Sequence, residues 1–390
     1  MGKVDEFDLL GDGPETRHNW RAMSAGRDCT SIEEYPLFTD AAIAGQAECG
    51  PYAFLNTVPV FSQDSVQAAI VLRCRWYLGR VMPSVNWSKT DTSRYHGGDF
   101  PDEIAALVSL ILGVRIRAGA VTRHFGGEDP LGSPVDGSSR SRPQLIRRSQ
   151  HAYTLPTVVG YRSLDLLNAL NQWPCTRADH AIALLRAARL YQDALWLAES
   201  EPSLSWLMLV SALETAAGQW GRKGTPEQRL RDSHRELCEY LRMLGEDALG
   251  KVAGYLAPFL GVTAQFLNFV MEFLPAPPPL RPNLSYQVDW GPDELRKALR
   301  TIYGYRSKAL HEGTPFPEPM CLNAGVFMEG DAAIPEKPTG AMSTRYGVWR
   351  AEDTPMLLHT FEYIARGTLL SWWKCISEND RAGALVAAGR

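Results

Sequence analysis

Arg306 and His311 are the two side chains in this chain whose types and spacing best suit joint chemistry. They stand five positions apart in Tyr303-Gly304-Tyr305-Arg306-Ser307-Lys308-Ala309-Leu310-His311-Glu312-Gly313. Histidine titrates nearest neutrality and can take or give a proton. Arginine is a permanent cation whose planar fork matches phosphate oxygens. Together they suit the breaking of a phosphodiester without a metal: one group moves the proton, the other stabilises charge as it develops. The spacing Arg-x-x-x-x-His is common by chance, so its meaning depends on the elements that carry it.

Those elements are legible. Trp290-Gly291-Pro292-Asp293-Glu294 opens a helix, with proline near its first position and acids in its first turn. Leu295, Leu299, Ile302, Arg306 and Ala309 then recur at helical spacing on one stripe. Gly313 and Pro315 supply the stop. An arginine on an apolar stripe is expensive unless an acid pairs with it or the stripe borders a wet cleft. His311 lies about 140° further round an ideal helix, so the pair converges on one phosphate only if the last turn unwinds or the arginine reaches across. A histidine in a last turn also meets the negative end of the helix dipole, which favours its charged form. The structural alternative is that Arg306 pairs with a core acid such as Glu214 and that His311 caps a helix.

The rest of the chain divides by texture. Residues 1 to about 50 are rich in turn formers and charges and read as a loosely structured entry. Tyr52 to Gly79 is strand-like, with runs Val58-Pro59-Val60-Phe61 and Ala69-Ile70-Val71-Leu72-Arg73-Cys74-Arg75-Trp76. Phe100-Pro101-Asp102-Glu103 starts a helix that stops at Gly113, and Val114 to Val121 alternates like a strand. Gly126 to Gln150 is a loop with Arg140, Arg142, Arg147 and Arg148, a solvated segment or a phosphate contact. The boundary falls near Trp173-Pro174, giving an α+β domain over 1–175 and a helical domain over 176–390. In the second, helices are expected over Asp179 to Glu199, Ser203 to Trp220, Pro226 to Leu244 and Pro355 to Ser377. Val252 to Leu274 is apolar but carries Pro258, Gln265, Asn268 and Glu272, and reads as a core helix pair, not a membrane span. A long irregular insertion covers Pro315 to Glu352. The phrase Gly-Tyr-Arg-Ser occurs at 160–163 and at 304–307, with different flanks.

Composition narrows the class. The 390 residues are 45% hydrophobic and 22% charged, which is ordinary for a soluble globular protein. A net charge of −4 gives no global nucleic-acid signature, so any RNA contact must be a local groove or patch. The cysteines Cys29, Cys49, Cys74, Cys175, Cys238, Cys321 and Cys375 are odd in number and scattered, with no Cys-x-x-Cys, which fits a reduced cytoplasmic compartment. The start of the sequence is acidic and lacks the apolar core of a secretory signal. No P-loop or nucleophile elbow is present. His96 and His124 each lie near acids, without a recognisable ligand spacing.

On the stretch from Tyr303 to Gly313 and the upstream Leu209-Val210-Ser211-Ala212-Leu213-Glu214, the segment 180–375 resembles the HEPN superfamily, most closely its Apea-like branch. Members are all-helical bundles whose penultimate helix ends in a pattern like Tyr-x-x-Arg-Ser-x-x-x-His-Gly; here the glycine stands one place later. The resemblance implies a metal-independent endoribonuclease without a cofactor. It implies a homodimer whose two motifs face one cleft, where the RNA 2′-hydroxyl attacks the adjacent phosphate to leave a cyclic phosphate and a 5′-hydroxyl. In it, His311 is the general acid and base, and Arg306 binds the scissile phosphate. Ser307 bonds a phosphate or caps the helix interior, Glu214 orients Arg306 or His311, Tyr303 and Tyr305 stack on a base or pack, and Lys308 supports substrate binding. Many such proteins act in phage defence or toxin systems; others bind RNA or nucleotides without cutting. A tyrosine two places after the histidine is nucleotidylated in some toxin pairs, and that place here is Gly313. Residues 1–175, outside the resemblance, are expected to sense a trigger or dock a partner protein.

Overall fold

The computed structural model describes residues 13–57, 65–78, 88–126, 129–135, 140–147, 153–221, 225–257, 261–323 and 334–388. The chain is mainly α with an antiparallel sheet in its first part. It begins with helix α1 (Glu15–Ser24), then strands β1 (Ser31–Thr39), β2 (Ala42–Ala44), β3 (Gln46–Cys49), β4 (Tyr52–Asn56) and β5 (Gln67–Trp76). Helix α2 (Phe100–Leu112) precedes the short strands β6 (Arg117–Ala118), β7 (Arg123–Phe125), β8 (Ser133–Pro134) and β9 (Tyr161–Ser163). The sheet runs β3-β4-β5-β1-β7-β8, with β6 also on β1, while β2 and β9 form a separate parallel pair.

Alternation along β1, β4 and β5 puts Tyr35, Leu37, Tyr52, Phe54, Ile70, Leu72, Cys74 and Trp76 on the buried side. Phe100, at the start of α2, packs its ring against Tyr35, Tyr52 and Trp76 at 6.2, 5.8 and 4.3 Å. A capping box of Asp99 and Asp102 starts α2. Gly113 ends it in the left-handed conformation at φ 64°. A 3-10 segment, Leu164–Cys175, then leads into the helical layer.

That layer holds α3 (Ala178–Leu197), α4 (Pro202–Trp220), α5 (Pro226–Ser233), α6 (Arg235–Leu244), α7 (Glu246–Leu256), α8 (Val262–Glu272) and α9 (Pro292–His311). A small pair, β10 (Met342–Ser343) with β11 (Val348–Trp349), comes before the final helix α10 (Leu358–Ala388). Helix α3 packs on α2 and α4, and α4 packs on α8, α9 and α10. Buried residues from β1 to α10 form one cluster, so the core is continuous across position 175. Helices α5, α6 and α7 make a smaller cluster of their own around Leu230, Cys238, Leu241, Leu249 and Ala253.

Arg115, fully buried just after α2, ties the sheet to the helices. Its Nη1 donates to Asp40 Oδ2 at 2.7 Å, its Nη2 to Glu199 Oε1 at 2.6 Å and its Nε to the Leu195 carbonyl at 2.8 Å. Glu199 in turn accepts the backbone N–H of Thr154 at 2.9 Å.

Several expectations need correction. The first 50 residues are not loosely structured where described: α1 is largely buried and β1 lies inside the sheet. Val114 to Val121 is strand only at Arg117–Ala118. The helix expected over 226–244 is two, broken where His234 adopts φ −144° and ψ 72°. Of the apolar pair in Val252 to Leu274, only α8 joins the main core, through Phe266, Leu267, Phe269 and Val270; α7 belongs to the smaller cluster. The run Val58-Pro59-Val60-Phe61 lies outside the described residues, as does Arg148. Among the described residues, no helix is long and apolar enough to cross a membrane.

Candidate functional site

Helix α9 forms as its sequence dictates: Pro292 sits in the first turn, Asp293 and Glu294 face the positive helix end, and Gly313 follows the stop at φ 69°. Leu295, Leu299 and Ile302 are fully buried and fix which face meets the core; each contributes about 1.5–3 kcal/mol of burial. Tyr303 joins them, 9% exposed, with its ring 5.1 Å from Phe266 of α8.

One turn further on, Arg306 leans toward α4. Its Nη2 donates to Glu214 Oε2 at 2.5 Å, and the Tyr303 hydroxyl donates to the other oxygen, Oε1, at 2.8 Å. Glu214 is thus held from both sides by α9. The Arg306 guanidinium lies 5.7 Å from the Tyr303 ring, a distance at which a cation gains from the aromatic face. The two partners of the ion pair are 21% and 14% exposed, so solvent screens the pair only in part. Burial, then the bond to Glu214, pushes the Tyr303 phenol up to about 12. Arg306 Nε is buried with no acceptor.

Tyr305 points elsewhere. Its hydroxyl donates to the Asp353 carbonyl at 2.7 Å and its ring lies 6.2 Å from Phe316. Phe316 stands at the start of the insertion and Asp353 just past its end, so the two ends of that insertion close over this side of α9. Phe316 also stacks on Trp206 of α4 at 5.3 Å. Ser307 is half-buried, while Lys308 and His311 are exposed. The last turn of α9 stays regular, with the Glu312 N–H bonded to the Lys308 carbonyl at 2.8 Å.

The structure therefore brings Arg306, Glu214 and Tyr303 together and leaves His311 apart from them, exposed at the end of the helix. Neither of the two routes to convergence within one chain is taken: the last turn does not unwind, and Arg306 reaches toward Glu214 instead. Glu214 holds Arg306, not His311. Tyr303 cannot stack on a base, because its ring is packed in the core. Among the described residues, no group of three or more His, Cys, Asp and Glu is placed to hold a metal ion.

The other sequence candidates are engaged within the chain. His96 Nε2 lies 2.9 Å from Glu103 and His124 Nδ1 3.5 Å from Glu33. In the basic loop, Arg140 pairs with Asp99 and Asp102, Arg142 donates to the Val66 carbonyl, and Arg147 lies over Tyr153. These arginines are held by local partners rather than presented as a free basic patch. The sequence reading missed a second cluster of charged residues, Arg162, Glu362 and Arg366. Its signal was available: Glu362 and Arg366 stand four apart on α10, among the apolar positions Phe361, Ile364 and Leu369.

No family model, curated protein or solved structure matches this chain.

Proposed function

We propose that the chain is a metal-independent endoribonuclease of the HEPN kind, acting on RNA through its 2′-hydroxyl, in a defence or toxin setting. The reading rests on one observation above the others. Glu214 and Tyr303 hold Arg306 at the end of a buried stripe, with part of its side chain, 21%, still open to solvent. An arginine preorganised in this way stabilises charge on a phosphate with little reorganisation at the moment of reaction. His311, exposed one turn later, is free to exchange protons with a ligand. Because the helix end stays regular, the histidine meets the phosphate held by Arg306 through a second copy of the chain. A homodimer with two α9 ends across one groove supplies that arrangement, and the first part of the chain is its docking or sensing region.

A second reading is a module that binds RNA or protein without cutting. The Arg306–Glu214 ion pair favours it, since it spends much of the arginine's charge inside the subunit.

The deciding experiment compares wild type with His311→Ala on total RNA in EDTA. His311 is exposed, so the variant keeps its stability to within about 0.5 kcal/mol. The nuclease reading expects cyclic-phosphate ends from wild type and none from the variant. Equal cleavage by both removes His311 from the reaction, and cleavage by neither favours the binding module.

A further inference from the structure

A cavity of about 500 Å³ opens between the end of α2, the proline-rich segment before α9 and the first turns of α10. Its volume is in the range of small-molecule sites. It shares no lining residue with the α9 site, and nothing below depends on the nuclease reading.

The polar side of the cavity carries two guanidiniums. Arg366 donates through Nε to the Leu110 carbonyl at 2.9 Å and through Nη2 to the Ile111 carbonyl. Arg162 donates through Nε to the Leu112 carbonyl at 2.8 Å, and through Nη1 and Nη2 to the carbonyls of Tyr161 and Thr157 at 2.8 and 2.5 Å. Both thus gather at the C-terminal end of α2, where unpaired carbonyls and the helix dipole attract cations. Carbonyls carry only partial charge, and among the described residues neither guanidinium forms an ion pair. A guanidinium has five N–H groups, so both retain donors. Two carboxyls also line the cavity: Glu336, whose charge is matched by Arg281 and which accepts the Val288 N–H at 2.7 Å, and Glu362, which is buried and accepts the Tyr191 hydroxyl at 2.5 Å. For Glu362, unlike Glu336, no arginine lies within ion-pair distance among the described residues. Burial raises the Glu362 pKa, which weakens it as a counter-charge. His359, also buried, has its pKa lowered by the same desolvation and sits with Nε2 2.7 Å from the Pro335 carbonyl. Opposite this positive floor stand apolar groups: Pro278, Leu280 and the Tyr363 ring, whose hydroxyl is tied to the Ala276 carbonyl at 2.9 Å.

We propose that this cavity binds a small organic anion, with its carboxylate or phosphate seated at Arg162 and Arg366 and its apolar body against Leu280 and Tyr363. Two cations concentrated in a concave site of low polarity attract an anion far more strongly than the same charges on an open surface. The apolar wall selects against inorganic ions, which gain nothing from it.

Calorimetric titration of the full chain tests this with two pairs of probes: uridine monophosphate against uridine, and octanoate against octanol. One anion is expected to bind at least about tenfold more tightly than its uncharged counterpart, the scale of a charge-assisted bond. Preference for the nucleotide assigns a phosphate head group; preference for octanoate assigns a carboxylate. Arg162→Gln and Arg366→Gln should each weaken binding about tenfold. Both also release carbonyls of α2 or β9, so Thr157→Trp is the control for misfolding: it fills the cavity from an exposed rim position and should abolish binding. Equal affinity for charged and uncharged members, no binding of either anion at millimolar concentration, or binding that survives Thr157→Trp overturns the proposal.

Discussion

Replacing Arg115 with methionine should be among the most damaging single changes in this chain. The guanidinium is fully buried and is the ion-pair partner of Asp40 and Glu199, each 3% exposed at the side chain. Methionine matches much of the volume and supplies no charge, so two carboxylates are left buried with no cation between them. Glu199 keeps the N–H groups of Thr154 and Leu155, at 2.9 and 3.3 Å. Asp40 keeps less, since its Oδ1 has no partner even in the intact protein. Removing one member of a buried pair costs about 3–5 kcal/mol, a large share of the roughly 5–15 kcal/mol that hold a domain together. With about 2.1 cal/mol/K of unfolding entropy per residue over 390 residues, that corresponds to a fall in Tm of about 4–6 °C. Differential scanning calorimetry reads it directly. The triple variant Arg115→Met, Asp40→Asn, Glu199→Gln should recover at least half of the loss, because it removes the stranded charges as well as the cation. A loss below about 1 kcal/mol for the single variant, or no recovery in the triple, would refute the view that stranded carboxylates dominate the cost.

Glu362→Gln probes the same physics through pH. Burial raises the Glu362 pKa from its ordinary 4.5, so the stability it contributes is present below that value and is lost as pH rises through the folded value. Glutamine removes this loss while still accepting from Tyr191, so the Tm of the variant minus that of wild type should grow between pH 4.5 and pH 8; a flat difference refutes it. Gly113→Ala forces a Cβ into a left-handed residue and to 2.7 Å from Arg366 Nε, with an expected cost of about 1–2 kcal/mol by denaturant titration. Glu214→Gln keeps an acceptor for Tyr303 and Arg306 but removes the charge, and should cost about 1 kcal/mol. In the nuclease reading it also lowers cleavage without changing its pH profile, since the proton is moved by His311.

Legibility followed how locally each element is determined. Helix α9 was readable to the residue because Pro292, the Leu295–Leu299–Ile302 stripe and Gly313 each act within their own turn. Strand β1 was not. It alternates correctly, but Pro36 interrupts it and Glu33 falls on its buried side. The structure reconciles both. Its partner on that edge changes opposite Pro36, from β7 to β6, where the Pro36 carbonyl still accepts the Gly119 N–H at 2.8 Å. Glu33 accepts the Trp76 indole N–H at 2.9 Å and the Tyr35 hydroxyl. Apart from Tyr35, the partners that make these solutions are distant in sequence, which periodicity does not see. The break at His234 was hidden for a related reason: no glycine or proline marks it. At the site, the pairing of Arg306 with Glu214 was weighed from sequence as one alternative; the separation of His311 followed from the angle between the two positions. The arginine pair around Glu362 escaped because Arg162 and Arg366 are brought together only by the end of α2.

The packing of α10 sets a condition on synthesis. Arg366 bonds carbonyls of α2 more than 250 positions earlier, at a separation of 256 for Leu110. Trp373 meets the edge of Trp173 at 6.1 Å, and Ser377 shares a hydrogen bond with Thr176 at 3.0 Å. A ribosome delivers the chain in order, at about 5–20 residues per second. For roughly ten seconds or more after α2 has emerged, the surface it will share with α10 has nothing to close it. The nascent first part must therefore wait with these contacts unmade, and its packing is completed only when the last helix has been delivered.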